Sequence, residues 1–505
     1  MNTRRNNLIT RSLCFVAACA SVMLAAPTHA VRVSTTGMGQ VLLFPYYTAQ
    51  NDNASLISLV NTTTQGKAVR LNLRDARGGF VTAQLNVYLS AKDVWTAAVV
   101  ATGDNVRLIS NDRSCTAPAI YNVASGLLLT QLAFTPPSGT APQPSRESRR
   151  EGYVEIIEMA TIPNNTPTGI SITHVNGIAP CNRSITDAAF EPPAADLKAP
   201  SGGLTGTLSI INVGQGMLVS TAATALENFW LAGPGAPAPR VWPANSTGPG
   251  LDGGGDKEAY LHGSSTNYNP GSPTVTARFA TSLDAVSAVL LTSSVFSEYA
   301  FTADNTIATT MVVTMPTKPY YIRRGSLEPF QNAWDVAARK SCDDFSHVGY
   351  DREEIVGATP DDFSSHPGPR NQLCYVTNTI PTSASTGNGF YGVAYGAPDA
   401  SFFGGQFTAG LSPIQNGGLP VATPGRDGGW LELAFTSATA RLTPLDASTV
   451  RINNGKPEIT TGTGIVVGLP VIGFTLSQAA YRSGSPQQNY ADAIPLRTQT
   501  TVLLP

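Results

Sequence analysis

The chain has few charged residues and few histidines, and each shortage excludes a class of function. Asp, Glu, Lys and Arg make up 13% of its 505 residues, against about 25% in typical soluble proteins. The formal net charge is −2, so the chain lacks the excess of Lys and Arg that binds nucleic acid or an anionic lipid surface. We therefore expect no nucleic-acid partner.

Familiar catalytic motifs are also missing. The sequence holds no GxSxG, no HExxH, no P-loop and no GxGxxG between a strand and a helix, each of which places a reactive group or a phosphate at a defined turn. The four histidines beyond residue 30 are not at metal-ligand spacing from one another. No apolar run beyond residue 30 approaches the roughly 20 residues that a transmembrane helix needs. We expect no transmembrane segment, and catalysis is the less favoured interpretation.

The first 30 residues have the pattern of a secretion signal. Arg4 and Arg5 give a basic start, an apolar run covers residues 13–26, and small residues stand before Val31. This pattern predicts cleavage after Ala30 and an exported protein, located outside the cell, at its surface or in the periplasm. As an alternative, residues 16–19 resemble the box before a lipid-modified cysteine, which would place a lipid anchor at Cys19.

Four cysteines remain after the predicted signal. An even number in an exported chain indicates disulfides, and four cysteines allow three pairings. Sequential pairing keeps each bridge within one region, so we predict Cys115–Cys181 and Cys342–Cys374.

Short apolar stretches separated by turn residues dominate the rest of the chain. They predict a mainly β fold with two or more Ig-like or antiparallel β-sandwich domains, long irregular loops and a few short helices. We place an N-terminal sandwich at 31–195 and C-terminal β-rich domains at 204–505, with a boundary in the Pro-rich stretch 192–203. The predicted strands are 41–44, 56–60, 69–74, 85–89, 94–100, 127–134, 153–159, 208–213, 275–279, 311–315, 391–395, 431–435 and 471–476.

The clearest alternation lies at residues 69–74. Val69, Leu71 and Leu73 share one face of the predicted strand, while Arg70 and Arg74 share the other. A period of two with one apolar side is typical of a half-buried strand, so we expect both arginines on an outer, solvated face.

Two helices and two core tryptophans complete the expectations for local structure. The helices are predicted at 221–230 and from Ser282 or Asp284 to Leu291, where both starting residues are good helix caps. Trp95 and Trp430 fall within predicted strands, so core packing is the expectation for both.

Acidic residues concentrate between Cys342 and Cys374. A flexible loop with several carboxylates is typical of a Ca²⁺ site, and paired carboxylates also serve glycoside hydrolysis when the fold sets them roughly 5–9 Å apart. The third interpretation is a solvated acidic loop held by a disulfide. The candidate Ca²⁺ ligands are Asp343, Asp344, Asp351, Glu353 and Glu354.

Aromatic residues beside turns are the candidate binding residues. Exposed aromatic side chains on loops often bind sugars or protein partners. The alternative is that each covers an open end of a sandwich. The candidates are Tyr46, Tyr47, Trp230, Trp242, Tyr320 and Tyr321.

Several segments together resemble a family of uncharacterised exported proteins of Gram-negative bacteria. They are QVLLFPYY (40–47), LVNT (59–62), DVWT (93–96), SNDRSC (110–115), EGYVE (151–155), MPTK (315–318), YDREE (350–354) and LPVIGF (469–474). The resemblance spans most of the chain beyond residue 30 and implies a Gram-negative source and a shared architecture. No activity is established for the family, so it supplies no functional residue.

Two functions remain from these observations. The first is a secreted or cell-surface β-sandwich protein with a structural or binding, adhesion-like role and a protein or glycan partner. The second is an extracellular carbohydrate-active hydrolase that uses carboxylates of the 342–374 region. Neither needs a cofactor, apart from Ca²⁺ if the acidic loop binds it.

Overall fold

A computed structural model describes most of the chain beyond residue 28. The described residues are 29–121, 126–130, 146–182, 185–262, 274–302, 306–323, 327–351, 356–357, 371–382, 401, 403–409, 428–453, 456–480 and 489–503. They form a mainly β structure of antiparallel sheets with few, short helices, as predicted from the sequence.

Two large sheets form the N-terminal part. The seven-stranded sheet contains, in spatial order, Arg32–Val33, Thr224–Glu227, Val41–Thr48, Glu151–Ile162, Gly66–Asp75, Val81–Leu89 and Cys115–Ala117. The six-stranded sheet contains Met217–Ala222, Leu204–Asn212, Ala54–Asn61, Val94–Thr102, Asn105–Ile109 and Leu127–Leu128.

The apolar side of the predicted strand 69–74 lies in the core between these sheets. Val69, Leu71 and Leu73 are fully buried there and share one cluster with Ile57 and Trp95 of the six-stranded sheet. Period-two alternation therefore predicted this inward face correctly, and Trp95 is a core residue as expected.

Two further sheets form most of the C-terminal part. The five-stranded sheet contains Val356–Gly357, Ser346–Asp351, Gly428–Ala434, Ser294–Ala300 and Arg497–Gln499. The central four-stranded sheet contains Thr377–Thr382, Ile307–Thr314, Ile472–Ala479 and Tyr490–Pro495.

The central four-stranded sheet joins the two halves because its faces enter different cores. Met311 and Val313 pack with Val295 and Leu433 of the five-stranded sheet. Val312, on the opposite face, belongs to the N-terminal core, where Phe474 also lies.

The remaining strands make smaller sheets at one side. The lateral four-stranded sheet contains Glu258–His262, Thr274–Arg278, Asp446–Asn453 and Lys456–Gly462. A three-stranded sheet contains Arg441–Leu442, Ile465–Val467 and Thr501–Leu503. Two-stranded ladders join Leu291–Thr292 to Leu469–Pro470 and Asp343–Asp344 to Gln372–Leu373.

The described helices are short. The longest is Ser282–Leu290, which lies where a helix was predicted; a capping box between Thr281 and Asp284 satisfies its first backbone N–H groups. The others are Arg146–Arg149, Pro167–Ile172 and Lys318–Tyr321, with a 3₁₀ turn at Ala194–Asp196.

Sheet pairing crosses the predicted boundary at 192–203. Strand Leu204–Asn212 pairs with Ala54–Asn61, and Thr224–Glu227 pairs with Val41–Thr48. The N-terminal sheets therefore extend to residue 227, because these later strands complete both of them. The Pro-rich stretch is a connection within this unit.

Three predictions of secondary structure are wrong within the described residues. Residues 221–230 form no helix, because backbone pairing places Thr224–Glu227 in the seven-stranded sheet and overrides helix propensity. The strand that starts at Val41 does not end at Pro45 but continues to Thr48. The register shifts by one residue there, and such a bulge accommodates a proline that cannot donate to the ladder. Of the predicted strand 127–134, only Leu127–Leu128 is a strand in the described residues. Residues 131–134 and the predicted strand 391–395 lie outside the described residues.

Candidate functional site

Both predicted disulfides are present. Cys115 and Cys181 have Cα atoms 5.5 Å apart, and those of Cys342 and Cys374 are 3.8 Å apart. The second bridge lies beside the ladder of Asp343–Asp344 with Gln372–Leu373. It therefore fixes both ends of the acidic region, as expected.

The acidic region does not gather its described carboxylates into one site. The Asp343 carboxylate lies 2.6 Å from the Lys318 Nζ atom, and both side chains are buried. Lys318 also donates to the carbonyl oxygens of Ser341 and Leu373, and burial lowers its pKa against the attraction of Asp343. Asp343 thus serves to compensate a buried lysine.

Asp344 points away from that pair. It is exposed and accepts a hydrogen bond from the Gln372 side chain at 2.7 Å. Within the part of the chain that the structure describes, no three His, Cys, Asp or Glu side chains form a metal-binding group. The side chains of Asp351, Glu353 and Glu354 lie outside the described residues, so a Ca²⁺ site that uses them stays a prediction.

The turn aromatics are not an exposed binding surface. Tyr46 and Tyr47 are fully buried, and Tyr321 and Trp230 are nearly so. The Tyr46 hydroxyl donates to Glu151, and the Tyr321 hydroxyl to Asp284. Tyr46 and Tyr47, Tyr321 and Trp230 belong to three different core clusters.

Trp242 and Tyr320 belong to a layer that covers the second face of the seven-stranded sheet. Trp242 stacks on Trp230 with 5.7 Å between ring centroids. Its backbone carbonyl, with those of Pro243 and Ser246, accepts hydrogen bonds from the Arg70 guanidinium. Arg70 is 1% exposed, so the expectation of a solvated outer face is wrong: segment 241–246 covers it.

Arg74 is buried on the same face. Its Nε atom lies 2.7 Å from a Glu155 carboxylate oxygen, and its guanidinium donates to the Tyr320 hydroxyl. Burial raises the pKa of Glu155, while the attraction of Arg74 opposes that rise. This polar face is closed off from solvent. On the inner side of the same sheet, where alternation places Lys67 with Val69, Lys67 and Glu158 are fully buried and 2.6 Å apart.

Among the described aromatic residues, Tyr490 is exposed on the central four-stranded sheet, and Trp430 is exposed on the five-stranded sheet, where it has aromatic neighbours. Trp430 is 38% exposed, which contradicts the expectation of core packing. It stands directly opposite Tyr350 on the neighbouring strand, and Phe296 lies diagonally across the next one. We call Phe296, Tyr350 and Trp430 the aromatic patch.

The rings of the aromatic patch stand upright on the sheet. Tyr350 and Trp430 stack with centroids 4.1 Å apart and 12° between their planes, and Phe296 is tilted at 6.2 Å from Trp430. Because paired residues on adjacent strands have Cβ atoms about 5 Å apart, rings that face each other at this distance cannot lie flat on the sheet. The patch therefore presents ring edges more than ring faces.

Charged side chains surround the aromatic patch on the same sheet face. Glu298 is paired with Trp430 across the ladder, and Glu432 lies opposite Phe296. Arg497 reaches Glu298 at 3.8 Å, with both side chains about three-quarters or more exposed. An apolar centre with a charged rim is the usual anatomy of a protein-binding surface.

A signal for this surface was present in the sequence. In strand Gly428–Ala434, Leu431 and Leu433 point into the core, so period-two alternation puts Trp430 and Glu432 on the opposite face.

Comparison of the chain with protein-family models, with curated proteins and with solved structures found no match. Among the residues that the structure describes, no helix is both long and apolar enough to cross a membrane.

Proposed function

We propose that this chain is an exported, non-catalytic binding protein that binds a protein partner through the aromatic patch. The observation that carries the proposal is the half-exposed stack of Tyr350 and Trp430 with its charged rim. Export is supported by the N-terminal signal pattern and by the two disulfides, which form in oxidising compartments.

The orientation of the rings favours a protein partner over a glycan. A sugar ring packs against an exposed aromatic face, whereas Tyr350 and Trp430 cover one face of each other's ring. Upright Trp and Tyr side chains instead insert into pockets of a partner, where they contribute most of the binding energy. The hydrolase alternative has less support, because Asp343 of the acidic region is paired with Lys318.

Site-specific photocrosslinking in the producing cell tests this proposal. A photoreactive residue replaces Ser346, which is exposed and in register with the aromatic patch. The control position is Val213, which is 81% exposed and lies elsewhere. We expect a protein adduct of defined mass at position 346 and none at 213.

Trp430→Ala should reduce that adduct by at least about 30-fold, the equivalent of a hot spot of 2 kcal/mol. Trp430→Phe should retain part of it, and circular dichroism checks that both variants fold. An adduct that survives Trp430→Ala would contradict the proposal. The partner would instead be a glycan if the protein binds to a glycan array, Trp430→Ala abolishes that binding, and no protein adduct forms.

A further inference from the structure

The residues at the predicted cleavage site are built into the fold. Val31 is 0% exposed and lies beside strand Glu258–His262 in a parallel bridge with Ala259. Its backbone N–H donates to the Glu258 carbonyl at 2.8 Å, and its carbonyl accepts from Tyr260 N at 2.9 Å. The nitrogen that would become the amino terminus is therefore held in place and out of solvent.

A buried carboxylate with an unused oxygen is linked to this nitrogen through a single residue, Glu258. Asp256 is 4% exposed, and its Oδ1 atom accepts from the backbone N–H of Glu258 at 2.9 Å. Its Oδ2 atom is buried with no hydrogen-bond partner among the residues described. Glu258 thus links the two groups, since its N–H binds Asp256 and its carbonyl binds Val31. Burial raises the pKa of Asp256 to about 6, although the attraction of His29 lowers it.

We propose that Asp256 is the internal binding site for the amino terminus of the processed chain, where it pairs with the α-ammonium group of Val31. The proposal rests on the predicted cleavage after Ala30 and is independent of the aromatic patch. Hydrolysis of the Ala30–Val31 peptide bond gives the leader a carboxylate at Ala30 and leaves Val31 with a primary amine. That amine takes up a proton at neutral pH. One N–H keeps the bond to Glu258, and the added protons supply the donor and the charge that Asp256 Oδ2 lacks.

Cleavage has to precede the docking of this segment. Ala30 is only 2% exposed, so a protease reaches the bond before the segment folds against strand Glu258–His262. Removal of residues 1–30 also removes His29, whose attraction lowers the pKa of Asp256 in the uncut chain. The Val31 ammonium then takes over that role.

Two forms of the protein distinguish this proposal from the alternative that Asp256 has only a structural role. One form begins at Val31, and the other carries Gly-Ser and Ala30 before it, so that Val31 N remains an amide. Asp256→Asn is introduced into both, with Asp446→Asn as the matched control, because Asp446 is exposed on the same lateral sheet. The readouts are the Tm of each form and a ¹³C NMR titration of the Asp256 carboxyl group.

We expect Asp256→Asn to lower the Tm of the form that begins at Val31 and to leave unchanged or raise that of the extended form. The pKa of Asp256 should fall below its ordinary value of about 3.9 only when Val31 carries the free amine. Asp446→Asn should leave both forms unchanged. Equal Tm shifts in the two forms, an Asp256 pKa that stays near 6 with Val31 free, or an exported chain that begins at another residue would each overturn the proposal.

Discussion

The seven-stranded and five-stranded sheets distribute polar and aromatic side chains in opposite ways. The second face of the seven-stranded sheet holds Arg70, Asn72, Arg74 and Glu155, all buried. The outer face of the five-stranded sheet holds Trp430, which is left partly in solvent. What covers a sheet face, and not the residue type on it, decides which side chains are buried.

Buried ionic groups of the seven-stranded sheet are satisfied within the protein. On its inner side, Glu158 accepts hydrogen bonds from Lys67 Nζ, Thr161 Oγ1 and the backbone N–H groups of Ser201 and Gly202. A buried ion pair is tolerated when hydrogen bonds satisfy it in this way. The aromatic patch is not enclosed in this way: Trp430 stacks on Tyr350 of the same sheet but stays partly in solvent. We therefore assign the outer face of the five-stranded sheet to a binding partner.

The largest effect should come from breaking the buried pair. Glu158→Gln leaves the Lys67 ammonium uncompensated in a site without solvent, and it should lower the free energy of unfolding by about 3–5 kcal/mol. Glu191→Gln is the matched control, because its ion pair with Arg240 is about half exposed and should contribute under about 1 kcal/mol. Denaturant titration measures both. Equal losses would mean that solvent reaches the pair of Lys67 and Glu158.

Arg70 and Leu71 compare the two faces of one strand. Leu71→Ala should lower the free energy of unfolding by about 2–5 kcal/mol because it leaves a cavity in the core. Arg70→Ala leaves the carbonyls of Trp242, Pro243 and Ser246 without a donor, so we expect about 2–4 kcal/mol. A solvated face would give well under 1 kcal/mol. Arg441→Ala, at an exposed strand position, controls for the loss of an arginine in denaturant titrations.

The buried carboxyl of Asp75 should make the protein less stable as the pH rises. Burial raises its pKa to about 6, against about 3.9 in an unfolded chain. Between these values the unfolded chain binds fewer protons, so the free energy of unfolding falls, by roughly 3 kcal/mol in all, as the pH rises from 4 to above 6. Asp75→Asn should flatten the curve of Tm against pH over that range. Parallel curves for the two proteins would show that Asp75 is not the group that titrates.

The smallest effect should come from the aromatic patch. Trp430→Ala should lower the free energy of unfolding by about 1 kcal/mol or less, because the side chain is partly in solvent and mainly loses its stack on Tyr350. Trp95→Ala, in the core, should lower it by about 3–5 kcal/mol. Denaturant titration of the two variants compares an exposed tryptophan with a buried one. A similar loss for both would mean that Trp430 supports the fold and not a partner.

The sequence predicted the features that depend on local pattern. Alternation identified Val69, Leu71 and Leu73 as core residues, and the helix was expected where Ser282–Leu290 lies, although its cap is Thr281 and not Ser282 or Asp284. Alternation and helix capping depend only on near neighbours along the chain. Both disulfides were predicted because sequential pairing keeps each bridge within one region.

The errors arise where distant segments meet. Residues 241–246 cover Arg70. This segment is irregular and shows no periodicity, so the sequence of strand 69–74 alone did not predict that Arg70 is buried. Residues 221–230 were predicted as a helix because helix propensity carries no information about backbone pairing with the distant strand Val41–Thr48. The aromatic patch was missed for a different reason: Trp430 was assigned to the core by residue type, against the alternation of its own strand.

Strand Glu151–Ile162, with all twelve residues buried, has a consequence for the rate of folding. Its partners in the sheet arise early in the chain, at 41–48 and 66–75, but its cover comes from the 241–246 segment and from Tyr320. On the proposed export route the chain emerges from its N-terminus, so this strand waits uncovered until Tyr320, 158 residues beyond its end, has crossed the membrane. Contacts of such long sequence separation form slowly, and the open sheet is prone to aggregate meanwhile. We therefore expect this strand to determine how strongly folding of the protein depends on chaperones in the export compartment.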